Sequence, residues 1–315
     1  MIAKSSTATV PDVPIDPATG VLDATGPSYP LALRARPLRS RWWRPLVAII
    51  GIVVSYLVLN VALSLAALAF DNATGLTGGL VISPALYLSM NLSLAALIPI
   101  SLLLHRWLYG PAAGLHSVLG RIRWSLVRTA LLIAVPVWVI MNLTTVLAGE
   151  PRLPSMPEIA LLVIVLLTTP LQAAGEEYAF RGLLNRAFAN LTGRFSRAGV
   201  ILGMVVSSLG FCLAHNAFQP LMLLYFFTFG VVLAVAAWRT GGLEVPIVIH
   251  VVHNVTAFVA GLFVAGNGVD ALASRGTMEP GAEIVFMTIF MVAVAAAVWV
   301  ITAIRPVRRT APEIV

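Results

Sequence analysis

A chain of 315 residues that is 59% hydrophobic, only 10% charged and carries a net +7, with a mean hydropathy of +0.94, is unlike a soluble domain, where about a quarter of residues are charged. Its repeated long apolar runs belong in a bilayer as helices and are too continuous for the alternating strands of a membrane barrel. Nineteen of the 20 basic residues are Arg, clustered between the apolar runs, which is the placement of membrane-flanking charge and excludes a nucleic-acid-binding face.

In chain order, residues 1–30 are rich in Pro, Asp, Thr, Ser and Gly and hold no apolar core, so they read as disordered and not as a secretory signal. With Arg34, Arg36, Arg39, Arg41 and Arg44 they make a basic tail over 1–44. Three helices, about 45–70, 79–104 and 127–148, fill a segment 45–155 with almost nothing ionisable inside the spans. Four more, about 157–191, 198–218, 220–238 and 244–266, carry the polar residues of interest in a core over 156–260. The first of these four is too long for one simple span, and its end is expected to bend or lie at the interface. The rest of the seventh helix, an external loop and an eighth helix at 283–304 fill 261–304, before a short tail at 305–315. The expected fold is an all-α bundle of about eight transmembrane helices.

Threading these helices back and forth puts Arg106, Arg121, Arg123, Arg128, Arg194, Arg197, Arg239, Arg305, Arg308 and Arg309 on the side of the N-terminal arginines. The other side receives only Arg152 and Arg275, together with Asp71, Glu150, Glu158, Asp270, Glu279 and Glu283. The positive-inside rule then makes both termini cytoplasmic, in a multi-pass protein of the cell membrane. His105 and His116 fall in a cytoplasmic loop on this reading, and Cys212 is a small buried packing residue that rules out an intrachain disulfide.

Ionisable groups inside a span are costly and mark function by default. Here they lie in three strings: Gly175-Glu176-Glu177-Tyr178-Ala179-Phe180-Arg181, Phe211-Cys212-Leu213-Ala214-His215-Asn216, and His250-Val251-Val252-His253-Asn254. Glu177 and Arg181 stand four apart in the favourable helical ion-pair order, which leaves Glu176, about 100° around the helix, free. His250 and Asn254 share one face, with His253 displaced from it. A turn at Thr192–Arg197 would bring Glu176 and His215 level, each about 25 Å of helix away. The chemistry within reach of such groups is water activation. Glu176 would act as general base with His215 on the same water, and His250 with Asn254 would donate to the oxyanion of a scissile carbonyl. Glu176, His215 and His250 are equally candidates to ligate a divalent metal such as zinc. The residues alone leave both routes open.

The strings resemble the signature of the CPBP family, the CAAX proteases and bacteriocin-processing (Abi) enzymes that include the Ras-converting CAAX endoprotease. Its EExxxR is matched by Glu176, Glu177 and Arg181, its FxxxH by Phe211 and His215, and its HxxxN by His250 and Asn254, in order and on successive helices. The resemblance covers roughly 156–260. It implies an intramembrane endopeptidase cleaving a membrane-associated peptide or protein near the cytoplasmic face. Glu176 would be the base and His215 its water partner, with His250 and Asn254 at the oxyanion and Glu177–Arg181 in support. No HExxH, no Asp within a span and no GxSxG argue for the site-2, diaspartyl or serine classes of intramembrane protease. A different class of function, a non-enzymatic scaffold or a proton- or ion-coupled transporter using the same Glu/His cluster, stands as the alternative. No internal repeat supports an inverted-repeat transporter.

Overall fold

The computed structural model describes residues 15–16, 21–22, 28–32, 42–75, 80, 82–110, 113–192, 197–264, 281–304 and 307–310. Among these, regular structure is helical except for one antiparallel pairing of β1 (Ile15–Asp16) with β2 (Val21–Leu22). Eight stretches are long and apolar enough to cross a membrane, as the sequence predicts. They are α1 (Trp43–Thr74), then α2 (Pro84–Ala95) continued by α3 (Leu97–Tyr109), then α4 (Trp124–Ala148). The fourth is α5 (Met156–Glu177), running through a π-helical segment, Tyr178–Leu184, into α6 (Asn185–Ala189). The rest are α7 (Arg197–Ala214), α8 (Pro220–Thr240), α9 (Glu244–Leu262) and α10 (Ala282–Ile304).

Local chemistry explains the boundaries. Pro84 and Pro220 open α2 and α8 at positions whose N–H would have no helical partner, and Gly241 closes α8 in the left-handed region at φ 70°. The break at Ala96 lies one turn before Pro99, whose ring collides with the Ala95 carbonyl and removes a helical hydrogen bond. The fifth span is shorter than predicted. It stops at Ala214, not near 218, because Asn216 takes φ 51°, a conformation Asn tolerates better than most residues. His215 therefore sits just beyond the helix and not inside it. His105, expected in a loop, is buried on α3.

Packing places α5 at the centre, against α2 on one side and α9 on the other, while α4 lies on α9 and α8 lies between α7 and α10. In a bilayer such contacts rest on close packing and interhelical hydrogen bonds. Asn91 Nδ2 donates to Thr168 Oγ1 (2.7 Å) and Thr169 Oγ1 (3.1 Å) across α2–α5. Asn142 Nδ2 donates to Thr256 Oγ1 (3.0 Å) across α4–α9.

One end of the bundle gathers segments far apart in sequence. Arg123 pairs with Glu244 (2.7 Å) and donates to the Arg308 carbonyl (3.1 Å). Within the tail expected to lack structure, residues 28–32 are packed here. Tyr29 is fully buried, its hydroxyl donates to the Leu115 carbonyl (2.6 Å), and Arg186 lies against its ring and donates to the Ala32 carbonyl. Burial lifts the Tyr29 phenol above its ordinary range. At the opposite end, Arg152 pairs with Glu158 and its amide donates to the Phe263 carbonyl (2.9 Å). The turn expected at 192–197 has its centre, residues 193–196, outside the described residues.

Candidate active site

The site is built where α5 gives way to the π-helical segment. Wide turns of this kind inside α-helices recur at functional sites. Gly175 precedes the paired acids because α5 presses on the α2–α3 break there: a Cβ would lie 2.0 Å from the Leu94 carbonyl oxygen. Glu176 and Glu177 then point into protein, with Glu176 7% exposed and Glu177 fully buried.

Glu177 forms the predicted pair with Arg181, whose Nη1 donates to its Oε1 at 2.7 Å. The same oxygen lies 2.8 Å from His250 Nδ1. A carboxylate there accepts the Nδ1 proton, which turns Nε2 toward Glu176. His250 Nε2 lies 3.9 Å from Glu176 Oε2. That oxygen is buried and accepts no hydrogen bond from the described residues, and neither does Glu177 Oε2.

Glu176 Oε1 is held by a residue that the sequence reading missed. Gln172, one helical turn earlier, donates to it through Nε2 and accepts from Asn254 Nδ2 at 3.2 Å. The i, i+4 spacing from Gln172 to Glu176 was visible as a shared helix face, but a neutral amide attracts no notice beside charged neighbours. The described bond of Asn254 thus ties the third string to the first, behind the carboxylate.

His215 lies beyond α7, with Nδ1 2.7 Å from the Phe211 carbonyl and its ring stacked on Phe226 at 4.0 Å. Since the carbonyl accepts, the proton sits on Nδ1. Phe211 occupies the middle of the assembly. Its ring lies 4.4 Å from His215, 5.8 Å from His250 and 4.2 Å from the Arg181 guanidinium. Arg181 Nη2 reaches the Gly230 carbonyl at 3.4 Å, where α8 comes close enough that a Cβ on Gly230 would be 2.8 Å from that of Ser208. His253 takes a separate environment, with Nε2 2.9 Å from the Tyr225 hydroxyl and its ring on Trp138. Below the site, Tyr178 bonds His116 of the 113–123 loop, whose imidazole burial holds below its ordinary range, with Glu244 acting the other way.

Of the three candidate metal donors, Glu176 and His250 converge, while His250 Nδ1 is committed to Glu177 and His215 Nδ1 to a carbonyl. Among the described residues no three His, Cys, Asp or Glu side chains are grouped to hold a metal ion. An Nδ1–H held by an oxygen acceptor is also the usual orientation of a metal-bound His, so a divalent ion, if bound, would be held by Glu176 and His250 Nε2 and would supply Lewis-acid activation of water.

Residues 157–256, which include all three strings, match the family described as Rce1-like, type II CAAX prenyl endopeptidase. The membrane-embedded CAAX protease MroQ of Staphylococcus aureus (strain USA300) is 28% identical over 138 residues, 42% of this chain. The match spans 55% of that protein, about half its length. No solved structure matches. These likenesses agree with the resemblance carried by the three strings.

Proposed function

For this multi-pass membrane protein, whose residues 157–256 match the Rce1-like CAAX prenyl endopeptidase family, we propose an intramembrane endopeptidase that hydrolyses a peptide bond of a membrane-associated peptide or protein. The carrying observation is the 3.9 Å between Glu176 Oε2 and His250 Nε2. It is too long for a direct hydrogen bond and suits a water bonded to both. In this reading Glu176 Oε2 takes a proton from that water as its oxygen attacks the scissile carbonyl carbon. Gln172 holds Oε1, and Glu177 orients His250 by accepting from Nδ1. The oxyanion is met at the open side of the cluster by Asn254, which is partly exposed and whose Nδ2 carries a second N–H beyond the one given to Gln172. Collapse breaks the C–N bond, and Glu176 returns the proton to the leaving amine.

His250 stands six residues into α9, about 9 Å of helix from the arginine-rich end. The scissile bond is therefore proposed to reach the site from that face, the cytoplasmic one if charge sets orientation. The test compares newly formed protein N-termini in membranes of cells carrying wild-type protein or Glu176→Gln. We expect a defined set of termini to vanish with the variant while its abundance and melting stay at wild-type level. Identical termini in both would remove the peptidase reading and leave a scaffold or ion carrier.

A further inference from the structure

Away from the polar strings, α4 and α10 do not pack along each other, although both lean on the α8–α9 pair. Between them lies a cavity of about 270 Å³, lined among others by Thr129, Ala134, Ile249, Ala293, Ala297 and Thr302. On α10 its walls run from Phe290 to Thr302, about 18 Å of helix. That is roughly the depth of one leaflet of a hydrocarbon core about 30 Å thick. The volume is below the range of about 300–1,000 Å³ typical of drug-sized ligands, and the shape is a slot. Ala293 is exposed, so the slot opens sideways to lipid.

Its arginine-rich end is not apolar. Arg239 is 2% exposed and has no carboxylate partner among the described residues. Its Nε donates to Thr302 Oγ1 of the cavity wall at 2.9 Å, and its guanidinium lies 4.6 Å from the Trp299 ring. Trp238 stands beside Trp299 at 5.9 Å, with the Arg309 guanidinium 6.0 Å over it. The exposed Arg128 precedes the wall residue Thr129. A buried cation without a counter-ion is costly, and Trp faces at a membrane boundary suit the headgroup level.

We propose that this slot is a binding site for one anionic phospholipid, with an acyl chain between α4 and α10 and the phosphate at Arg239. Basic pockets between transmembrane helices suit such headgroups. Because Ile249 lines the slot and adjoins His250, the bound chain rests against the helix that carries the site.

The experiment titrates the full-length protein in detergent with phosphatidylglycerol or phosphatidylcholine of identical chains, read by native mass spectrometry. Wild-type protein is expected to retain one phosphatidylglycerol in preference to phosphatidylcholine. Arg239→Gln should reduce that preference about fivefold, the factor for one cation near a charged surface, whereas Arg239→Lys keeps most of it. Ala293→Phe enters the slot from the lipid side, where little packing is disturbed, and should abolish retention of either lipid; Ala297→Phe is the second filling variant. Equal retention of both lipids by wild-type protein, or unchanged retention by filled variants with wild-type melting, would overturn the proposal. The readout is binding, so its outcome is independent of peptidase activity.

Discussion

The position most exposed to a single added carbon is Gly175. A Cβ there would lie 2.0 Å from the Leu94 carbonyl oxygen and 2.9 Å from the Leu94 carbonyl carbon, where real Cβ atoms keep at least 3.0 Å. The obstacle is backbone at the α2–α3 break, so no side-chain rotation relieves it. Gly175→Ala must move α5 off α2 by about 1 Å. Overpacking of this kind costs about 1–3 kcal/mol. The larger consequence is chemical, because Glu176 is the next residue and a misplacement of about 1 Å can lower a rate about 10²-fold. Gly210→Ala is the control, since its Cβ would meet the Phe180 ring at an ordinary 3.6 Å from Cε1 and 4.0 Å from Cδ1, and within a helix Ala should stabilise by about 0.5–1 kcal/mol. Both variants would be compared in nanodiscs by thermal unfolding and by cleavage of a peptide substrate identified from the terminus comparison. Wild-type cleavage and melting in Gly175→Ala would refute the argument that this contact sets the position of Glu176.

Other perturbations separate the roles further. Gln172→Leu leaves Glu176 Oε1 and Asn254 Nδ2 without their described partner and should slow cleavage up to about 100-fold, from an unmade-bond penalty of about 1–3 kcal/mol; wild-type turnover would show the amide to be a bystander. Arg181→Met strands a fully buried carboxylate at Glu177, and the unfolding midpoint should fall by the equivalent of about 3–5 kcal/mol, unless His250 alone neutralises it. Asn216→Ala should lose about 1–2 kcal/mol from its left-handed backbone, and Asn216→Gly should recover most of it; equal stability of all three would place no strain at the end of α7.

The architecture was legible because in a bilayer hydropathy and length nearly dictate the element, and arginine placement dictates where the spans end. The Glu177–Arg181 pair was legible for the same reason, since a fixed helical spacing makes it local. What escaped the sequence depended on contacts between helices. His215 was read as lying inside a span because Asn216 is polar but no strong helix breaker, and its left-handed turn is set by packing. The tie between His250 and Glu177 is a relation across 73 residues, and nothing in the spacing of either string distinguishes it from a pairing of His250 with Glu176. Tyr29 lies in a stretch whose composition speaks for disorder, yet residues 28–32 are held against the bundle by its buried ring beside Arg186 and by bonds from Tyr29 N to the Arg309 carbonyl and from Asn190 to the Pro30 carbonyl.

The same contacts explain why site and fold need not fail together. Helices in lipid gain little from hydrophobic burial against each other, so polar bonds and close packing hold them. Here the three strings do that work: Glu177 joins α5 to α9 through His250, Gln172 joins them again through Asn254, and Arg181 joins the π-helical segment to α8 at Gly230. Phe211 wedges α7 into the same point. Among the described residues, Glu176 enters this web only through Oε1. Its other oxygen, facing His250 at 3.9 Å, takes part in none of the described bonds between helices. A glutamine at this position keeps the shape and can keep one bond to Gln172, while removing the charge that would accept a proton. Variants at Glu177 or Arg181 should therefore lose activity by losing structure, whereas Glu176→Gln should lose it with the bundle intact, and that difference is what separates a base from a brace.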